Sequence, residues 1–220
     1  MDADALPPDT PAARAARIVA TEQLTPALLN HSIRSWYWAL GFAQVDGVGD
    51  IDDELLYVAA LLHDIGLAEP FDAVRVPFEH AGGQVASALA AGAEWDAARR
   101  AKLAAAIVAH MAAAPLPQGG VEGLLLDVAT GLDISGSRPD DLPADYRAAV
   151  LSRWPRLDLG SQFTALIMEQ ADRKPGSESA RLVRNGLAGK LAANPLEPDP
   201  AEPDPAQPDP GGPDPAEPEE

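Results

Sequence analysis

The chain has no cysteine among its 220 residues. Disulfides, thiolate metal sites, iron–sulfur clusters and cysteine nucleophiles are thereby excluded. Bases are scarce: 16 Lys and Arg stand against 34 Asp and Glu, for a formal charge of −18. Phosphate-rich surfaces repel such a chain, so neither nucleic acid nor an anionic membrane is an expected partner. Aromatic residues make up only 5% of the chain, which leaves much of the core to Ala, Leu and Val. No apolar run reaches the roughly 20 residues that a bilayer span requires. The opening Met1-Asp2-Ala3-Asp4 lacks the apolar stretch of a signal peptide, and a soluble, cytoplasmic protein is expected. A Gly-x-Ser-x-Gly elbow, a phosphate loop and a Gly-x-Gly-x-x-Gly fingerprint are all missing, which removes the common serine-hydrolase and nucleotide-binding readings.

What charge there is falls unevenly. From Glu197 to Glu220 proline alternates with acid, without a base or a large apolar side chain. Such a segment buries too little surface to offset its ordering entropy. The expected organisation is a flexible N-terminus over 1–13, one domain over 14–193 and a disordered Pro/Asp/Glu tail over 194–220.

The body reads as helices. Thr25 followed by Pro26 is a helix start, and Leu28, Leu29, Ile33, Trp36, Tyr37 and Leu40 recur at three- and four-residue spacing as far as Phe42. Asp52–Ile65 repeats the pattern and Gly66 suits a stop. Further helices are expected at Phe78–Ala91, Glu94–Met111, Val121–Thr130, Pro143–Arg153, Gly160–Asp172 and Glu178–Ala192. Loops rich in Gly, Pro or Asp separate them at Asp46–Gly49, Glu69–Pro77, Ala114–Gly120 and Ile134–Leu142. The fold class is all-α, a single helical bundle. That alone says nothing about activity.

Chemistry enters with the histidines, of which there are four: His31, His63, His80 and His110. His63 is followed by Asp64 in LLHDIG, at the end of an otherwise apolar helix. A carboxylate there is costly to bury without a partner, and either a divalent cation or a neighbouring imidazole could serve. Imidazole and carboxylate donors together suit zinc, iron or manganese better than magnesium or calcium. His31 lies earlier, in NHSIR, and Asp133 later, in LLLDVATGLDISG.

That ordered set resembles the HD-domain superfamily of helical metal-dependent enzymes, whose signature is a His, a His-Asp doublet and a distant Asp converging on one ion. The resemblance implies His31, His63, Asp64 and Asp133 as metal ligands. Within the superfamily, NHSIRSWYW, AALLHDIGL, PFEHAGGQVA and AIVAHM resemble the cyanamide hydratase-like branch. Two departures stand out: His80 replaces an apolar residue, and MAAAPLPQGG after His110 is looser than the branch's Thr/Ser/Gly-rich stretch. The spacing of His80 and His110 also resembles the pair with which some HD proteins hold a second metal.

The implied cofactor is one divalent ion, zinc first, with iron or manganese as alternatives and a second ion left open. Such an ion lowers the pKa of water. Asp64, His110 and His80 are the candidate catalytic groups, as bases or acids around that water. Arg34, three residues beyond His31, is a candidate substrate-binding group or the partner of a buried acid. Trp36, Tyr37 and Trp38 are assigned to the core. The expected activity is hydration of a small nitrile-type molecule. The alternatives are an HD-type phosphohydrolase, which would need more bases than the motif helices offer, and a non-catalytic metal-binding regulatory module. A small-molecule substrate is the expected partner, with a homo-oligomer left open.

Overall fold

The computed structural model describes residues 1–197. Its helices are α1 (Pro11–Gln23), α2 (Pro26–Val45), α3 (Asp53–Leu62), α4 (Phe78–Gly92), α5 (Ala97–Ala109), α6 (Gly120–Ser135), α7 (Ala144–Arg153), α8 (Leu159–Arg173), α9 (Glu178–Arg184) and α10 (Leu187–Ala192). Among the described residues there is no strand, and no helix is long and apolar enough to cross a membrane.

The bundle is built around α3. Every residue from Leu55 to Leu62 is buried, as expected of a helix that is apolar on all sides. Helices α1, α2, α4, α5 and α6 pack around it. Alanines let them come close: α1 meets α3 through a face that buries Ala12, Ala13, Ala16 and Ala20. The starts follow capping chemistry. Thr25 Oγ1 accepts from Leu28 N–H at 3.3 Å, and Asp52 accepts from Leu55 N–H at 3.0 Å.

The His-Asp doublet sits where α3 gives way to a short 3-10 turn over Ile65–Leu67. Gly66 is needed there because α4 starts almost on top of it. A Cβ at Gly66 would lie 2.1 Å from the Phe78 carbonyl oxygen, far inside van der Waals contact. Helix α2 packs against α6, which brings His31 to Asp133.

Several boundaries differ from expectation. Helix α1 begins at Pro11, capped by Thr10, so residues 11–13 belong to the bundle; Ala5 and Asp4 are also held, by Tyr37 Oη and Arg153. Helix α6 runs on past the expected end at Thr130 to Ser135, with Leu132 and Asp133 buried; Gly136, at φ +67°, stops it. The expected helix over Glu178–Ala192 is two helices, broken at Asn185-Gly186, where Gly186 has φ +78°. Asn194 and Leu196 are buried, and Glu197 accepts from Arg156 at 2.8 Å. The start of the expected tail is therefore packed, and the rest of it lies outside the described residues.

Candidate metal centre

Two helix ends and the interior of a third helix converge on a buried cluster. His31 comes from the middle of α2, His63 and Asp64 from the end of α3, and His110 from the end of α5. His31 Nε2 and His63 Nε2 are 3.1 Å apart. Asp64 Oδ2 lies 3.2 Å from His63 Nε2 and 3.5 Å from His31 Nε2, and Asp64 Oδ1 lies 3.8 Å from His110 Nε2.

The other ring nitrogens decide what those contacts are. His63 Nδ1 donates to the Ala60 carbonyl at 2.8 Å, His110 Nδ1 to the Ile107 carbonyl, and His31 Nδ1 to the Asp133 carboxylate at 2.7 Å. A neutral imidazole with its proton on Nδ1 carries a lone pair on Nε2. Three lone pairs and a carboxylate thus face one another, an arrangement that is repulsive unless a cation stands among them. Both Asp64 oxygens are fully buried and accept no hydrogen bond, although an unpaired buried charge costs on the order of several kcal/mol. His31, His63 and Asp64 each offer a ligand atom within 4.8 Å of the others, and this group could hold a metal ion.

Titration behaviour agrees. Burial lowers His31, with Asp133 opposing. Burial and then His63 push His110 down to about 3. Burial works to raise Asp64, but His63, His31 and His110 outweigh it and hold the carboxyl at about 2. Burial also opposes charge on His63, yet Asp64 outweighs it and raises the imidazole.

The cluster forms the floor of a cavity of about 340 Å³. Phe78, Met111, Val128, Ile134 and Phe163 give it apolar walls. Asp127, Arg181, Arg138 and Lys190 also line it.

The model of the HD domain matches residues 28–127. Two cyanamide hydratases of Saccharomyces cerevisiae, DDI2 and DDI3, are each 32% identical over 181 residues, which is 80% of this chain and 80% of either relative. The chain belongs to the HD-domain superfamily, in its cyanamide hydratase-like branch.

Within this HD chain the expected site residues part company. His31, His63, Asp64 and His110 meet at the cavity floor. Asp133 does not join them as a facing carboxylate. Its Oδ1 accepts from Arg34 Nε at 2.9 Å and Trp38 Nε1 at 2.7 Å, while Oδ2 accepts from Arg34 Nη2 at 2.6 Å and from His31. The carboxylate stands behind His31 with both oxygens used, and orients the ring as metal-site carboxylates do. Arg34 is fully buried, forked on Asp133 and bonded by Nη1 to the Trp154 and Pro155 carbonyls. Of the two readings of Arg34, the pairing with a buried acid is the one the fold realises; it does not line the cavity.

His80 is exposed and lines a separate cavity between α4 and α5, with Gln84 and Gln118. The reason is rotational. Phe78 faces His110, with ring centroids 6.1 Å apart, and two residues further on a helix has turned about 200°. A second ion between His80 and His110 is not assembled. Trp36 and Trp38 are core residues, Trp36 donating to Asp53 and Trp38 to Asp133.

Two residues escaped the sequence reading. Arg156, 2% exposed, donates to the Asp133 carbonyl at 2.6 Å and pairs with Glu197. Asp127 lines the cavity, and burial pushes its carboxyl up to about 6 with Arg181 opposing. A signal for Asp127 existed: it is the one acid within the apolar face formed with Thr130, Gly131 and Ile134, at helical spacing.

Proposed function

We propose that this chain is a metal-dependent hydratase that adds water to a small nitrile-type substrate. The observation that carries the reading is the meeting of unprotonated imidazole nitrogens with an unpaired Asp64 carboxylate beneath an apolar cavity. The likeness to two yeast proteins named cyanamide hydratases supports it.

His31, His63 and Asp64 would hold the ion, and nitrogen with carboxylate donors suits zinc. The ion supplies Lewis acidity, which lowers the pKa of water toward neutrality. The protein's own groups do the rest. Asp133, Ala60 and Ile107 fix the tautomers, so that each imidazole turns Nε2 inward. Phe78 and Phe163 exclude bulk water. His110, held neutral by burial with its proton on Nδ1, accepts the proton leaving water on Nε2 in passing and returns it to the substrate nitrogen. A C–O bond forms, one C–N π bond breaks, and the imidic acid tautomerises to an amide. From cyanamide the product is urea.

Hydrolysis of a phosphate ester is the second reading, favoured by Arg138, Arg181 and Lys190 at the cavity. Two of these are already engaged: Arg138 by Asp46 and Asp141, Arg181 by Glu178. The Asp127 carboxylate would also repel phosphate, so hydration is preferred. The test is urea formation from cyanamide by the zinc-loaded protein, with inorganic phosphate release from a phosphomonoester measured in parallel. Urea formation that disappears in His63→Ala is expected. Phosphate release without urea would overturn the reading in favour of the second.

A further inference from the structure

We propose that Asp127 is a specificity residue that binds an amine or other N–H donor at the far end of a nitrile longer than cyanamide. The inference rests on the hydration reading and names the substrate class of that same site.

Size is the first observation. The cavity is about 340 Å³, within the range of roughly 300–1,000 Å³ that takes drug-sized ligands. Cyanamide has three non-hydrogen atoms, and even at the ~30 Å³ that liquid water occupies per molecule each, they leave most of it empty.

Position is the second. Along α6, Asp133 stands behind His31, and Thr130 Oγ1 donates to the His110 carbonyl at 3.3 Å. Asp127 is three residues before Thr130, about 4.5 Å along the axis at a rise of 1.5 Å per residue. It lines the same cavity as His31, His63, Asp64 and His110. A ligand that spans this cavity meets the cluster residues and Asp127 together.

Pairing is the third. Arg181 is bonded to Glu178 and, through Nη2, to the Met111 carbonyl at 3.0 Å. Arg138 is held by two carboxylates. The Asp127 carboxylate accepts no hydrogen bond and forms no ion pair with any other described residue, while only partly buried beside the cavity. A half-desolvated acceptor of this kind favours a donor that replaces its lost water. At neutral pH it is mostly ionised, since burial raises it only to about 6. A cationic amine gains most.

The experiment compares 3-aminopropionitrile with its uncharged isostere butyronitrile, on zinc-loaded wild type and Asp127→Asn. Binding is read by calorimetry and turnover by amide formation, with zinc content and melting temperature as controls. Wild type should bind the amine at least tenfold more tightly than the isostere. Asp127→Asn should bring that ratio close to one, with zinc content unchanged. Equal binding of the two probes by wild type overturns the proposal, as does a preference that survives in Asp127→Asn. Should the preference be present and lost as expected while no nitrile is turned over, the hydration reading fails and the Asp127 site stands.

Discussion

Asp133 Oδ2 accepts from His31 Nδ1 at 2.7 Å. That one bond makes Asp133 the residue that orients a histidine of the buried cluster, and it fixes which nitrogen of His31 meets the other cluster residues. The carboxylate is itself clamped by the Arg34 fork and by Trp38. The cluster and the α2–α6 contact are therefore one structure, and disturbing either should be felt in both.

Replacing Asp133 with Asn separates orientation from ligation. Breaking a fully buried pair with Arg34 should destabilise the fold by about 3–5 kcal/mol, read by denaturant unfolding. Zinc affinity should fall by roughly 10–100-fold, as when a residue behind a ligand is lost. His63→Ala should instead remove bound zinc outright. Equal loss in the two variants, by elemental analysis, would make Asp133 a direct ligand.

The same residue sets an acid-stability window. Burial works to raise the Asp133 carboxyl, but Arg34 and His31 outweigh it and hold it well below the ordinary range. A group depressed in the folded state stabilises above its unfolded pKa, and that contribution disappears as pH falls through the folded value. In the metal-free protein, the melting-temperature gap between wild type and Asp133→Asn should be steady from pH 7 to 5. It should narrow only in strong acid. A gap that closes at pH 5 would contradict the clamp.

His80→Ala should change little. The side chain is exposed and turned away from the cluster, and surface changes of this kind stay within about 0.5 kcal/mol. Zinc content and turnover should match wild type. A large loss of either would restore His80 to the site.

Gly66→Ala should be harmful out of proportion to one methyl group. The new Cβ would meet the Phe78 carbonyl at 2.1 Å, and backbone cannot move aside as a flexible side chain would. Overpacking of this kind costs typically 1–3 kcal/mol. Because Gly66 is two residues from Asp64, zinc affinity should drop with it. A melting temperature equal to wild type would show that α4 is free to shift.

Much of this protein is legible in its residues. Helical spacing located α2, α3, α4 and α5 to within a few residues, and the Thr25-Pro26 start is where the chain caps α2. LLHDIG after an apolar helix, with His31 before it, pointed to the family that the comparisons bear out. The boundaries that differ are those set by burial: α6 is expected to end at Thr130, but Leu132 and Asp133 beyond it are buried and the helix continues to Ser135. The split between α9 and α10 turned on Gly186 adopting positive φ, which a helical period running through it does not reveal.

The sequence by itself determined an all-α chain, its doublet His63-Asp64 and the absence of thiol, nucleotide-loop and serine-elbow chemistry. Only tertiary structure decided which polar residues share a cavity. Asp127 and Asp133 lie six residues apart on one helix and are turned about 120° from each other. Periodicity states that angle but not which face meets α2 and which meets open space. Packing of α6 against α2 made Asp133 a support for His31 and left Asp127 lining the cavity, and packing of α4 turned His80 outward. A ligand and a residue one atom behind it have the same letter in a sequence; the direction in which the neighbouring helix presents them separates the two.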